Sequence, residues 1–342
     1  MASYAGYEMP IQYRSVLAEA RAVRESAGVF DVSHMARLRL AGPGVLSLLE
    51  AILSNDVGPL SEGAGLYSLL PNKGVGCVDD LIAYRIGKEE YRLVANAVNH
   101  RQDVEWIHAE NKHGVVIEDL TATTAMIAIQ GPMAAKFTAT MADDPDALLR
   151  LPSMHTLDLA LAGIPCSVAR SGYTGEDGFE ITCKADVAEG LWARVRDAGA
   201  EACGLAARDI LRVEAGLPLY GHELGPNLNP LAAGVGWAIS QRKTFNGSEA
   251  INQAREEGLP QKLVGIVLDG KRVAEPGAAV YAAGRSIGSV TSGVFSPLLG
   301  HGIALAFVDS GHAPGDRVEV EIRGKREAGA LASRRFYRRP SR

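Results

Sequence analysis

Asp79 and Asp80 stand side by side ahead of an apolar run, Leu81-Ile-Ala-Tyr-Arg-Ile86, and form the first place where this chain could do chemistry. Successive side chains on a strand point to opposite faces, so only one of two adjacent carboxylates can enter a given pocket. That counts against a glycosidase pair, in which both acids flank one bond. It leaves a single fixed carboxylate, able to stabilise positive charge or to accept a proton. The same dipeptide also reads as the closure of a turn, a position that favours Asp. A second stretch, Arg170-Ser-Gly-Tyr-Thr-Gly-Glu-Asp-Gly-Phe-Glu-Ile181, packs Gly172, Gly175 and Gly178, an aromatic and three carboxylates into one loop. Glycine allows positive φ and close backbone approach, so the loop can bend round a flat ligand with Tyr173 as a wall, or simply close a well-made hairpin. His34 has no nucleophilic Ser or Cys tied to it by a motif, and a structural hydrogen bond is its expected role. Cys77, Cys166, Cys183 and Cys203 are widely spaced with no Cys-x-x-Cys, so neither a zinc site nor a disulfide framework is indicated and no metal is expected.

These residues need elements to position them. Ser15 can cap a helix running to about Ala27, with Gly28 ending it and Glu19, Arg21, Arg24 and Glu25 on its wet face. The alternation in Ala36-Arg-Leu-Arg-Leu40 predicts a half-buried strand, and Ala41-Gly-Pro-Gly44 turns it into a helix near Val45–Leu53. Strands at 81–86 and 91–96 flank Gly87-Lys-Glu-Glu90 as an antiparallel hairpin. A helix near 187–198 places Val187, Leu191, Val195 and Ala198 on one face, and on a helix Arg208 and Arg212 also share a face. Helices interrupt antiparallel strands without a βαβ rhythm, so the expected class is α+β. After Gln261 the pattern becomes short strands with Gly and Pro turns, the signature of a small C-terminal β-barrel.

At 342 residues the chain can bury a large core and divide into domains. A net charge of -5 gives no reason to expect nucleic acid. Arg334, Arg335, Arg338, Arg339 and Arg342 crowd the end around Phe336-Tyr337 and can be a solvated tail or a dock for an acidic partner. No apolar signal, Arg-rich presequence or membrane-length run is visible, so a cytoplasmic protein with no membrane association is expected.

The motifs Phe30-Asp-Val-Ser-His-Met35, Val78-Asp-Asp-Leu81, Gly172-Tyr-Thr-Gly-Glu-Asp-Gly-Phe-Glu180, Gly204-Leu-Ala-Ala-Arg-Asp209 and Leu211-Arg-Val-Glu-Ala-Gly216 follow in one order. Tyr4-Ala-Gly-Tyr-Glu-Met-Pro10, Ala128-Ile-Gln-Gly-Pro132, Asn229-Pro230 with Trp237, and Thr291-Ser-Gly-Val-Phe-Ser-Pro297 extend the series over nearly the whole chain. With these motifs the chain resembles the aminomethyltransferase (T-protein) family of the glycine cleavage system. The resemblance implies a three-domain cloverleaf with antiparallel sheets around a folate pocket: 1–37 with 125–210, 38–124 with 211–261, and a barrel over 262–342. It implies tetrahydrofolate as co-substrate and a lipoylated carrier protein (H-protein) as partner, the aminomethyl carbon passing from the lipoyl sulfur to tetrahydrofolate with release of ammonia. Glu180 is in register with the pterin-binding glutamate, whose ionised carboxylate suits the N–H-rich pterin edge. Arg208, Tyr173, Tyr67, Tyr84, Asn96 and Met35 match pocket positions, while Asp80 matches the carboxylate beside the reacting folate nitrogens. Asp79 is left to brace the turn, and of the two arginines one is expected to reach the ligand while the other orders Glu214 or another carboxylate.

Departures from the pattern are a shorter leading segment, Ser153 where an aromatic commonly follows Leu-Pro, and Val75-Gly76 in place of a double glycine. They point to a shorter or more polar pocket wall and a different turn. They also keep a second reading open, a tetrahydrofolate-dependent demethylase of a small N-, O- or S-methyl compound. A non-catalytic folate-binding protein of iron-sulfur assembly is disfavoured, because no cysteine stands in Arg170–Asp177.

Overall fold

A hairpin of β1 (Ala2–Tyr4) and β2 (Tyr7–Met9) leads into α1 (Val16–Glu25) and β3 (Gly28–Asp31) in the computed structural model, which describes residues 1–340. Next come β4 (Ala36–Ala41), α2 (Val45–Ile52), β5 (Gly65–Pro71), β6 (Cys77–Gly87), β7 (Glu90–Ala95), α3 (His100–Glu110) and β8 (Val116–Asp119). The chain continues through β9 (Thr124–Gln130), α4 (Ala134–Ala139), α5 (Pro145–Arg150), β10 (Thr156–Leu161), β11 (Ile164–Ala169), β12 (Gly178–Lys184), α6 (Ala188–Asp197), β13 (Glu201–Ala202) and α7 (Leu205–Ala215). After an irregular stretch and α8 (Ser248–Glu257), it ends in β14 (Gln261–Leu268), β15 (Ala279–Ala282), β16 (Arg285–Ser296), β17 (His301–Asp309), β18 (Arg317–Ile322) and β19 (Lys325–Ala332). Arg342, and with it the end of the expected tail, lies outside the described residues.

The strands form two open sheets and a barrel, so the class is α+β, as the sequence predicts. One sheet has the order β10-β11-β12-β9-β3-β13, antiparallel except for the β13–β3 edge. The other, β5-β6-β7-β4-β8, is antiparallel throughout and includes the predicted hairpin between β6 and β7. The barrel closes in the order β14-β17-β16-β15-β18-β19 and encloses an apolar core of its own. Closure removes the sheet edges that a short-stranded, Gly-rich segment would otherwise expose. Helix α7 packs between α1 and barrel strands β16 and β17, so Ile210, Leu211 and Val213 share a core with Ile303 and Leu305. Gly216 ends α7 in the left-handed conformation at φ 69°, as C-terminal glycines commonly do. A Cβ on it would also lie 2.3 Å from the Arg334 carbonyl, so the C-terminal segment crosses there.

Several local expectations are corrected. Helix α1 stops at Glu25, and Gly28 opens β3, its own Cβ space filled by Val23 and Cys203 side chains. Ser15 makes no side-chain cap; Glu19, inside the helix, instead reaches back to the segment that leads into it. Its Oε1 accepts from the backbone N–H groups of Tyr13, Arg14 and Ser15, and its Oε2 from Gly204 N–H at 2.9 Å. Glu19 is therefore fully buried instead of wet. Arg24 is also drawn inward, onto Glu214 at 2.9 Å and Glu176 at 3.0 Å. Arg37, expected on the wet side of an alternating strand, is buried with its guanidinium on the carbonyls of Ser33, Met35, Thr121 and Thr124. Simple periodicity misses such residues because backbone carbonyls and N–H groups substitute for water around the charge. Val187 precedes α6 and is exposed, while Leu191 and Val195 are buried as predicted.

Candidate active site

The two open sheets, α7 and the C-terminal segment meet at a cavity of about 240 Å³. The five-stranded sheet contributes Tyr67, Asp80 and Asn96, and the six-stranded sheet with its glycine loop contributes Gly172, Tyr173 and Glu180. Arg208 of α7, Met35, Tyr220, Trp237, Arg334 and Arg335 complete the polar and aromatic wall. Seven of the eight residues singled out from the sequence thus line one space. Tyr84 is the exception. It is buried in a second cleft between the sheets, behind Glu180, and its hydroxyl bonds to Ser171 Oγ at 3.0 Å.

Asp80 is held at both oxygens. Tyr67 donates to Oδ2 at 3.0 Å, and Asn96 Nδ2 donates to Oδ1 at 2.9 Å. Burial, reinforced by the neighbouring negative charge of Asp79, pushes its carboxyl up to about 7. Asp79 is fully buried, where it accepts from Asn96 N–H, Asn96 Nδ2 and Asn99 Nδ2 at 2.9, 2.8 and 2.6 Å. Strand alternation separates the two carboxylates as predicted, yet Asn96 touches both. Asp79 braces much more than a turn: it ties β6 to the chain between β7 and α3.

Glu180 lies between Phe179 and Ile181, both fully buried, and its Oε2 accepts from Ser171 Oγ at 2.6 Å. Arg208 packs with its guanidinium carbon 5.0 Å from the Tyr173 ring centroid, and its buried Nη1 has no partner. Burial pulls its affinity for the proton down, opposed by the charge of Glu180. Its helical neighbour Arg212 turns away from the cavity, bonding Asp209, Glu223 and Ser292 at 2.8, 3.1 and 2.7 Å. The carboxylate it orders is Glu223; Glu214 is left to Arg24 and Ser296. The Tyr173 hydroxyl donates to the Pro218 carbonyl, and the Tyr67 ring packs 5.4 Å from Trp237.

The glycine loop differs from its sequence reading. Only Gly175 takes positive φ, at 79°. Gly172 and Gly178 are required by close approach to the loop's own neighbours: a Cβ would meet Gln130 at 1.8 Å and the Ile129 carbonyl at 2.2 Å. Ser153 is exposed, and it is Met154, at φ 58°, that lines the cavity. Gly76 is fixed by the Pro226 carbonyl, 2.3 Å from where a Cβ would sit. His34 makes no hydrogen bond through its buried Nδ1 and packs edge-on to Tyr4. Burial and Arg208 push its imidazole down to about 4, so it is neutral at physiological pH. The basic tail is partly used within the molecule, Arg334 on the carbonyls of Ala233 and Gly234 and Arg339 on Asp177 at 3.4 Å.

Sequence reasoning missed Ser171, Asn99, Tyr220 and Asp103, and left Trp237 and Arg334 without a pocket role. Asp103 had a readable signal: it falls four residues before Ile107 on the buried face of α3. The others come from irregular segments without periodicity.

No helix among the described residues is long and apolar enough to cross a membrane, and no group of metal-ligating side chains is found among them. Residues 1–243 match the GCVT N-terminal domain, and residues 261–338 match the glycine cleavage T-protein C-terminal barrel domain. An aminomethyltransferase of Geobacillus thermodenitrificans is 42% identical over 98% of this chain and 94% of that protein. One from Thermus thermophilus is 43% identical over 97% of this chain and 93% of its own length. The crystal structure of glycine cleavage system aminomethyltransferase T from Bartonella henselae superposes with a TM-score of 0.90 at 33% identity, covering 98% of this chain and 93% of that one. Matched from end to end in both sequence and fold, the chain belongs to the glycine cleavage T-protein family.

Proposed function

We propose that this chain is a tetrahydrofolate-dependent aminomethyltransferase, moving an aminomethyl carbon from the sulfur of a lipoylated carrier protein to tetrahydrofolate with release of ammonia. The observation that carries the reading is a single cavity holding two unlike carboxylates, Asp80 among other acids and Glu180 near a cation. The residues present fit a pterin. Glu180 offers a carboxylate to its N–H edge, and the unpartnered Nη1 of Arg208 suits its carbonyl. Tyr67, Tyr173 and Trp237 supply flat walls, and Arg335 a cationic rim.

Bound tetrahydrofolate supplies the nucleophilic nitrogen that accepts the carbon. Asp80 holds negative charge where positive charge develops on that carbon, and it accepts a proton on its carboxylate. A group near 7 exists in both protonation states at neutral pH, as proton transfer in each direction requires. Tyr67 and Asn96 fix its two oxygens, so the charge is aimed before substrate arrives.

The same reading divides the chain into 1–37 with 125–210, 38–124 with 211–261, and 262–342. It places the protein in the cytoplasm, consistent with four free, buried cysteines. The carrier docks on a basic rim to which the exposed Arg338 contributes. Purified protein given tetrahydrofolate and an aminomethyl-lipoyl carrier is expected to release ammonia and form methylenetetrahydrofolate. Turnover with simple methylated donors alone would overturn the reading in favour of a demethylase.

A further inference from the structure

Beneath the cavity, a carboxylic acid that the proposed reaction does not use is sealed into the protein. Asp103, in the first turns of α3, is fully buried where α3 packs on β6, and its carboxyl faces that of Asp79. Neither of its oxygens finds any N–H or hydroxyl donor. Two carboxylates cannot share a hydrogen bond unless one keeps a proton. Asp79 already accepts three N–H bonds, from Asn96 and Asn99, each of which favours its ionised form. Asp103 has no such support. If the pair keeps one proton, Asp103 is the side that holds it, with Asp79 as the acceptor.

The consequence reaches the cavity through Asn96. Its side-chain N–H₂ bonds Asp79 Oδ1 at 2.8 Å and Asp80 Oδ1 at 2.9 Å, so the position of the Asp79 carboxylate sets the amide that aims Asp80. We propose that Asp103 is a positioning residue of this enzyme: it retains its proton at neutral pH and donates it to Asp79, which stays ionised, holds Asn96 and thereby orients Asp80. This deepens the reading of Asp80 given above and rests on it for its effect on turnover.

The titratable groups facing the cluster support that arrangement. They are Cys77, Asp79 and Asp80 on β6, Tyr67 on β5, Tyr173 of the glycine loop and Tyr220 beyond α7. Both charged groups acting on Asp103, Asp79 and Asp80, are acidic, and burial together with Asp79 pushes its carboxyl up to about 10. Burial likewise raises the Cys77 thiol. A single negative charge on the Asp79–Asp103 pair is what a low-dielectric site tolerates, since two adjacent unpaired charges would be far more costly.

Infrared difference spectroscopy of the whole protein against Asp103→Asn tests the proton directly and needs no turnover. At pH 8 the native protein is expected to show the C=O stretch of a protonated carboxyl that Asp103→Asn lacks; absence of that band overturns the proposal. Because an amide N–H replaces the one bond assigned to the acid, Asp103→Asn should fold and keep single-turnover rates within about twofold. A misfolded or inactive Asp103→Asn would equally overturn it. Asp103→Leu removes the donor, and the rate should fall roughly 10- to 100-fold, as for a lost hydrogen bond to a charged group. Tetrahydrofolate affinity should hold. The acid limb of its rate profile should move below the native one, because an Asp79 without its donor protonates more readily and stops repelling the charge of Asp80. An unchanged limb contradicts the linkage. If the infrared band is present but no aminomethyl transfer occurs in any variant, the protonation stands and the reading of the reaction fails.

Discussion

Asp80 and Glu180 line the same cavity and carry the same functional group, but each has been given opposite company. Around Asp80 the nearest charge is that of another acid, Asp79 on its own strand, with the uncharged carboxyl of Asp103 behind it, and its carboxyl is raised to about 7. Glu180 has Ser171 donating to it and acts favourably on the charge of Arg208. A carboxylate beside a cation is a fixed recognition group, whereas one crowded by acids can exchange a proton near neutral pH. Side-chain identity alone distinguishes neither; the difference is made by the strand on which each residue sits and by what packs behind it.

The contrast breaks first at Asp80. Asp80→Asn keeps shape and removes charge, so single-turnover aminomethyl transfer should fall by roughly 10²–10⁴-fold while tetrahydrofolate still binds. Equal loss of binding, or near-normal turnover, would merge the two carboxylates into one role. Glu180→Gln should do the converse, weakening tetrahydrofolate binding by about 1–3 kcal/mol in calorimetry with the fold intact. Unchanged affinity removes Glu180 from the binding wall.

Acidity sharpens the same comparison. Transfer that needs ionised Asp80 should decline by about tenfold per unit as pH falls below about 7, and tetrahydrofolate binding through Glu180 should not follow it. A flat rate profile between pH 6 and pH 8, read against about 7 for Asp80, would place the proton elsewhere. A smaller effect belongs to stability. Asp103 is ionised in the unfolded chain above about pH 4 but holds its proton in the fold up to about 10, so folding takes up a proton across that window. The stability this supplies is fully present below pH 4 and is lost as pH rises toward 10. Asp103→Asn has no such proton, and its melting temperature should decline less than that of the native protein between pH 6 and pH 9; parallel declines would deny the linkage. The smallest effect is expected at the rim, where Arg338→Ala should weaken carrier binding slightly and reduce its salt dependence, as exposed charges are screened over about 10 Å at 0.1 M salt.

Much of this site was legible before folding. The offset of one residue between Asp79 and Asp80 already assigns them to different faces, and apolar neighbours at Phe179 and Ile181 already fix Glu180 on a strand. Glu19, Arg24 and Arg37 leave the wet faces that periodicity assigns them because backbone groups, some nearby and some far along the chain, and distant acids surround their charges, and the distant ones lie outside any local window. The glycines at 172 and 178 were correctly marked as close approaches, but it is Gln130 and Ile129, more than forty residues earlier, that approach.

What the sequence determined by itself is therefore the local geometry: strand alternation, helix faces, the glycine loop and the barrel pattern, all set by steric periodicity within a few residues. The tertiary structure alone decided the electrostatics. It set Asp103 of α3 against Asp79 of β6, turned Arg212 toward Glu223, left Arg208 with a free N–H in the cavity and carried Arg334 back across α7. Protonation depends on burial and on the nearest charges in space, and those are supplied by elements that meet only when the two sheets and the barrel have packed together.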